Sequence, residues 1–284
     1  MGTMYKTGGQ LLGINGSIFK FNTSNASIIK PLDPQPPSGV GDMCIDAPNN
    51  RLFVIANGTG GQVWVYSTIT LSRTNIITGF ISPRFIRKDP NPTNNRVTVY
   101  DFNNNAFMFI DLTTLTLSSN SFPSTVIDGG FEYDQNVGRN QILVSPKANT
   151  LSVLNASTFA VVQQIVDPQI INLGRVRRNA HNADEIFVFN SGYPSVVVMN
   201  MANLSYTFKS FSNGVFDADA DSNLPNNIIY TAVSAASAKY TASDFGFIEN
   251  LNFPAAFLVV ADPTIANHRL FFGGGQLLYV ATLG

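Results

Sequence analysis

Short apolar runs rich in Val, Ile, Phe and Tyr alternate along the chain with turns made of Asp, Asn, Gly and Pro. No long stretch carries the 3.6-residue spacing of an amphipathic helix, and the runs have the length and composition of β-strands. The pattern also repeats. Asp46-Ala-Pro-Asn-Asn-Arg-Leu-Phe-Val-Ile joins a polar turn to an apolar strand, and Asp89-Pro-Asn-Pro-Thr-Asn-Asn-Arg-Val-Thr-Val-Tyr does the same. Looser copies begin at Asp134, Asn179, Asp221 and Asp262, so successive anchors lie 43, 45, 45, 42 and 41 residues apart.

Each period holds four strand-like runs, which in the first full copy are Asp42–Ile45, Leu52–Ala56, Val63–Tyr66 and Asn75–Thr78. The third run returns at Phe107–Ile110, Leu151–Leu154, Val196–Met199 and Leu277–Val280, with Ile18–Phe21 as a further copy near the start. Four strands in a period of roughly 40–45 residues is the signature of a propeller blade. The expectation is an all-β protein: one propeller domain over 1–284 with four-stranded blades. Seven blades are favoured and six are the alternative, with the two chain ends together closing the ring. Closure matters because an open ring would expose strand edges and apolar blade faces.

Leu52-Phe-Val-Ile-Ala-Asn, Gln62-Val-Trp-Val-Tyr-Ser-Thr and Phe109-Ile-Asp-Leu-Thr-Thr-Leu-Thr resemble the repeat of YVTN-type and lactonase-type β-propellers. The resemblance runs over nearly the whole chain, and the stretch around Ala235–Asn250 departs from it. It implies the propeller fold and, as one possibility, a lactonase-like hydrolase.

Composition narrows the function classes. The chain has 284 residues, 44% hydrophobic and 11% aromatic, enough for a sizeable core. Only 12% are charged, about half the usual quarter. Lys and Arg number 17 against 18 Asp and Glu, a formal net charge of −1 that argues against nucleic acid as a partner. No apolar run is long enough to insert into a membrane as a helix, and the first residues lack the basic-then-apolar pattern of a signal peptide. One cysteine, Cys44, excludes an internal disulfide framework.

Alternation along the first strand of each period gathers the few charges on one face. Asp42/Cys44, Phe85/Arg87, Gly130/Glu132, Arg175/Arg177 and Asp217/Asp219 share it, while Met43/Ile45, Ile86/Lys88 and Phe131/Tyr133 lie on the other. Arg87, Glu132, Arg175, Arg177, Asp217 and Asp219 are therefore the candidate channel-lining residues. Opposite charges there are expected to satisfy each other, since unpaired ones would be costly to enclose. A cation or small-molecule site at the channel mouth is the alternative.

Asp217, Asp219 and Asp221 offer carboxylates at alternate positions, as a calcium loop does, but the central Gly and closing Glu of such a loop are missing. No cofactor is expected, with calcium or another divalent cation as the alternative. His181 and His268 fall in separate turns without a nucleophile motif, which reads as solvated turn histidine. Cys44 reads as inert unless Arg87 or Arg177 activates its thiolate. Trp64 is expected to fill space between blades.

The chain thus reads as a non-enzymatic binding or assembly module. Its contacts would come from rim loops such as Gly58–Gln62, Asn103–Ala106 and Ser191–Ser195. Its expected partners are other structural proteins of an assembly or a cell-surface ligand. Composition suggests a virion, bacteriophage or extracellular setting. The alternative is a propeller hydrolase using Glu132, Asp217 and Asp219 with Arg175 and Arg177.

Overall fold

The computed structural model describes residues 19–22, 27–31, 34, 37, 40–70, 72–121, 127, 129–147, 149–170, 173–179, 181–190, 193–211, 215–220, 228–233, 238–241, 243, 245–250, 258–261 and 270–273. A hairpin comes first, β1 (Phe19–Asn22) paired with β2 (Ser27–Pro31). Five four-stranded antiparallel sheets follow in chain order. Blade 1 is β3 (Val40–Asp46), β4 (Arg51–Ala56), β5 (Gln62–Ser67) and β6 (Arg73–Ile77). Blade 2 is β7 (Pro83–Lys88), β8 (Arg96–Asp101), β9 (Ala106–Asp111) and β10 (Leu117–Ser121). Blade 3 is β11 (Gly130–Tyr133), β12 (Gln141–Lys147), β13 (Thr150–Asn155) and β14 (Val161–Val166). Blade 4 is β15 (Leu173–Arg178), β16 (Glu185–Asn190), β17 (Ser195–Asn200) and β18 (Tyr206–Ser210). Blade 5 is β19 (Val215–Ala220), β20 (Ile228–Val233), β21 (Ala238–Thr241) and β22 (Phe247–Asn250), and a pair β23 (Leu258–Ala261) with β24 (Leu270–Gly273) ends the order.

Each blade is a meander in which consecutive strands pair, and the first strands meet one another: β3 beside β7, β7 beside β11, β11 beside β15 and β15 beside β19. First strands inside and fourth strands outside make the molecule a β-propeller. β23 lies beside β19 and also beside β3, and β24 lies beside β1.

The blade count differs from the expectation. The described residues form five four-stranded blades, not seven, nor six. Dividing the chain by its period credits both ends with whole blades, but the described terminal strands form only two-stranded pairs. The third-strand copy expected at Leu277–Val280 lies outside the described residues.

The core is divided among the seams between blades. Phe53, Ile55, Val63 and Val65 of blade 1 pack on Ile86, Val97, Val99, Met108 and Ile110 of blade 2. Tyr100 and Phe107 meet Phe131, Tyr133, Ile142 and Phe159 at the next seam. Leu143, Leu151 and Val153 meet Val176, Ile186 and Val197, and Phe187, Phe189 and Val196 meet Ala218, Ile229 and Tyr240. Middle strands are covered on both faces, so β4 and β16 are buried at every position after the first. Outer strands are covered on one face at most, and β6, β14 and β18 are correspondingly polar or exposed.

Candidate functional site

First-strand side chains alternate between the preceding and the following blade. Ile86 of β7 joins the seam with blade 1, while its neighbour Phe85 joins the seam with blade 3. The charged residues lie on the face turned toward the following blade, and they meet. Asp42 Oδ2 accepts a hydrogen bond from Arg87 Nη1 at 2.7 Å and one from the Ile86 amide at 3.1 Å. Arg87 Nε lies 2.9 Å from Glu132 Oε2. Arg177 grips Asp217 with two parallel bonds, Nε to Oδ1 and Nη2 to Oδ2, both 2.8 Å. That fork-on-fork arrangement is the strong, orienting form of an ion pair.

The same groups reach across the axis. Arg177 Nη2, on blade 4, lies 3.5 Å from Asp42 Oδ1 on blade 1, and Arg175 Nη1 lies 3.4 Å from Asp42 Oδ2. Arg175 Nη2 donates to the Gly41 carbonyl at 2.9 Å, and Arg87 Nη2 donates to the Val176 carbonyl at 3.1 Å. Blades 1 and 4, and blades 2 and 4, are not neighbours, so these contacts fill the centre of the wheel. Asp42, Arg87, Glu132, Arg177 and Asp217 are buried, and Arg175 is partly exposed. Three guanidiniums (Arg87, Arg175, Arg177) balance three carboxylates (Asp42, Glu132, Asp217), which leaves the cluster without net charge.

Burial opposes the ionisation of Asp42, but Arg87, Arg175 and Arg177 outweigh it and hold its carboxyl well below the usual carboxylate range. For Arg175, burial is the largest influence and lowers its proton affinity, against the pull of Asp42 and Asp217.

Of the residues singled out in the sequence, Arg87, Glu132, Arg175, Arg177 and Asp217 come together here. Asp219 sits on β19 opposite Tyr230, and Asp221 lies outside the described residues. Among the described residues, no three His, Cys, Asp or Glu side chains gather at a position for a metal ion. Asp42 is the member that sequence reasoning placed on the right face but did not count. Its signal was available, because it precedes Arg87 by 45 residues, a full period, and carries the opposite sign.

The other candidates resolve into structural roles. Burial pushes the Cys44 thiol far above its ordinary range and outweighs the pull of the Arg87 guanidinium, so the thiol stays protonated and unreactive. His181 is a partly exposed turn histidine, and its Nε2 also lies 3.1 Å from the Ile228 carbonyl, which links blade 4 to blade 5. His268 lies outside the described residues. Trp64 is buried beside Met43, Leu52, Val54 and Tyr66, with the Arg73 guanidinium 4.2 Å above its ring. The repeat anchors Asp89 and Asp134 cap their own turns. Each accepts the amide two residues on, from Asn91 and Asn136, and each holds an arginine, Arg96 and Arg139.

The expected rim loops fall between second and third strands, on one rim of the wheel. Gly58, Gly60 and Gly61 there have positive φ, and at Gly61 an added Cβ would stand 2.1 Å from the Phe80 carbonyl oxygen. Asn103 and Asn104 are exposed, as is Tyr193, while Ser191 and Gly192 lie outside the described residues.

No family model matches the sequence, and no curated protein matches it. Solved structures do. A chain described as Kuenenia stuttgartiensis hydrazine synthase superimposes with a TM-score of 0.69 at 10% identity, over 100% of this chain and 99% of that one. The Cps50 (Swd1) β-propeller domain of Myceliophteria thermophila superimposes with a TM-score of 0.67 at 10% identity, over 95% of this chain and 92% of that one. At that identity the likeness is one of fold. It supports a β-propeller and does not single out the YVTN family.

Proposed function

We propose that this propeller is a non-enzymatic binding scaffold whose axial charges act as an internal clasp and whose partner, a protein of an assembly or a cell-surface ligand, is met at the rim. The observation that carries the reading is the state of the axial cluster. A hydrolase built on Glu132 and Asp217 needs a carboxylate free to take a proton or hold a metal. Here Arg87 stands against Glu132 and Arg177 holds Asp217 with both its donors. A divalent cation would have to displace an arginine that is itself buried, leaving that charge without a partner.

Rim loops built on tight turns and exposed Asn and Tyr offer recognition groups on a rigid frame, the common division of labour in such folds. The YVTN-type reading of the repeat rests on Leu52–Asn57 and Gln62–Thr68, which form the middle strands of blade 1 and their ends, and on Phe109–Thr116, which begins at the end of β9 in blade 2. The virion or bacteriophage setting drawn from composition receives no support from the comparisons, and the proposal is made for an assembly or surface partner in general.

Calorimetric titration of the purified chain with calcium and with zinc, beside a hydrolysis assay on simple lactones, tests this reading. The expected result is no saturable binding and no turnover. Stoichiometric cation binding or lactone hydrolysis that disappears in Asp217→Asn would overturn it.

A further inference from the structure

Arg175 differs from the other members of the axial cluster in two respects. Its side chain is 20% exposed, whereas those of Arg87, Arg177 and Asp42 are 5% exposed or less. It is also the least satisfied of the three guanidiniums. Among the described residues, Nη2 donates to the Gly41 carbonyl at 2.9 Å, while Nη1 is enclosed 3.4 Å from Asp42 Oδ2 and makes no hydrogen bond. A guanidinium carries five N–H donors, so most of those on Arg175 are uncommitted. Burial lowers its proton affinity in spite of Asp42 and Asp217, which means that its charge is only partly compensated.

The position of Arg175 gives this deficit an outlet. Strands alternate in direction through each blade, so first strands begin at the rim that carries the loops between second and third strands. Gly41 and Arg175 stand near the starts of β3 and β15 and therefore lie toward that mouth of the axis. A rim loop reaches the same place. A Cβ added at Gly41 would stand 3.0 Å from Oδ1 of Asn57, an exposed residue at the start of the blade 1 loop. The buried Phe85 ring, its centroid 5.4 Å from the Arg175 guanidinium carbon, supplies an apolar wall.

We propose that this mouth of the axis is a carboxylate-binding site, in which Arg175 and the Asn57 amide receive an acidic side chain of the protein met at the rim. The inference rests on the rim-binding reading and adds the chemistry of the partner. A carboxylate suits the site because a guanidinium edge offers it parallel, charge-assisted hydrogen bonds. Asp42 keeps the Arg87 guanidinium at 2.7 Å and the Ile86 amide at 3.1 Å, so Arg175 can serve a second carboxylate without isolating the first. A partner's side chain that reaches the mouth passes Asn57 on the loop, which favours a docked protein over a free acid.

Proton–nitrogen correlation spectra of the full chain, titrated separately with a capped glutamate peptide, its glutamine counterpart and acetate, test the site. The glutamate peptide should shift the Gly41 amide and the Arg175 Nε signals saturably. The glutamine peptide should leave both in place, and acetate should act only at much higher concentration. Arg175→Lys identifies the Nε signal and should weaken binding of the glutamate peptide. Asn57→Asp changes only an exposed rim residue, sets a like charge beside the ligand and should weaken that binding roughly tenfold. No saturable shift, an equal response to the glutamine peptide, acetate binding as tightly as the peptide, or unchanged binding by Asn57→Asp would each overturn the proposal. Cation binding or lactone hydrolysis would overturn the scaffold reading beneath it, whereas failure of the peptide titration alone overturns only this site.

Discussion

Asp42 shows how a charge can be enclosed without becoming a reactive group. It is fully buried, yet it receives the Ile86 amide, the Arg87 guanidinium and close approaches from Arg175 and Arg177. Its proton is therefore held less tightly in the folded protein than in the unfolded chain. A group shifted in this direction contributes stability above its unfolded pKa, about 4, and that contribution is lost as pH falls further, when the unfolded chain takes up the proton first. Urea unfolding midpoints measured from pH 7 to pH 3 should fall more steeply for the wild-type chain than for Asp42→Asn. At pH 7 the variant itself should be less stable by about 3–5 kcal/mol, because three guanidiniums are left with two carboxylates. Equal acid slopes for the two proteins would contradict the assigned role.

Turns between third and fourth strands carry a second repeat, set by backbone conformation. Leu115, Phe159, Leu204 and Phe245 occupy equivalent positions with φ of 57°, 58°, 60° and 62°, a region that bulky side chains normally avoid. A preceding polar residue organises the first three of these turns: Asp111 Oδ1 accepts the amides of Thr113 and Thr114, Asn155 Oδ1 those of Ser157 and Thr158, and Asn200 Oδ1 those of Ala202 and Asn203. The bulky side chain is tolerated there because it closes the end of a seam; Phe159 stacks on Phe107 and Phe109. Burial of such a ring outweighs the conformational cost of about 1–2 kcal/mol. Phe159→Ala keeps the strained backbone and loses the packing, at about 3–5 kcal/mol, whereas Phe159→Gly loses the packing but relieves the strain. Denaturant melts should find the glycine variant more stable than the alanine variant by about 1 kcal/mol, and the reverse order would refute the argument.

These turns also show what the sequence could and could not reveal at the scale of elements. Second and third strands were legible because both faces of each are covered, so Leu52–Ala56 and Val196–Met199 read as unbroken apolar runs. The anchor turns were legible because Asn50, Asn95 and Asn140, one period apart, take up the left-handed conformation that Asn tolerates. Outer strands such as Tyr206–Ser210 carry little periodic signal, since they are exposed along most of their length. The left-handed Leu and Phe positions went unread because those residue types ordinarily announce a strand or a core, not a turn.

At the scale of the whole molecule, the blade was readable and the number of blades was not. A repeat near 45 residues specifies the wedge, whereas the count depends on how the chain ends pair, and their described strands form two-stranded sheets. The candidate site was readable in all but one of its members because charge is scarce in this chain, so Arg87, Glu132, Arg175, Arg177 and Asp217 stand out on one face of the first strands, while Asp42 was passed over. Its geometry was not, because a register argument assigns faces within a blade but cannot say which side chains cross the centre.

Those crossings hold the wheel in two ways. Contacts such as Arg51 Nη1 to the Leu112 carbonyl at 2.6 Å and Arg96 Nη2 to the Ala156 carbonyl at 3.1 Å tie each blade to the next around the circumference. Among the described residues, the axial cluster ties blades that are not neighbours. A double-mutant cycle on Asp42 of blade 1 and Arg177 of blade 4, using Asp42→Asn and Arg177→Met and read by urea unfolding at neutral pH, measures that tie directly. Direct coupling across the axis predicts an interaction energy of roughly 1–3 kcal/mol. Additivity of the two substitutions within about 0.5 kcal/mol would mean that the opposed blades do not share these charges, and the clasp would not exist.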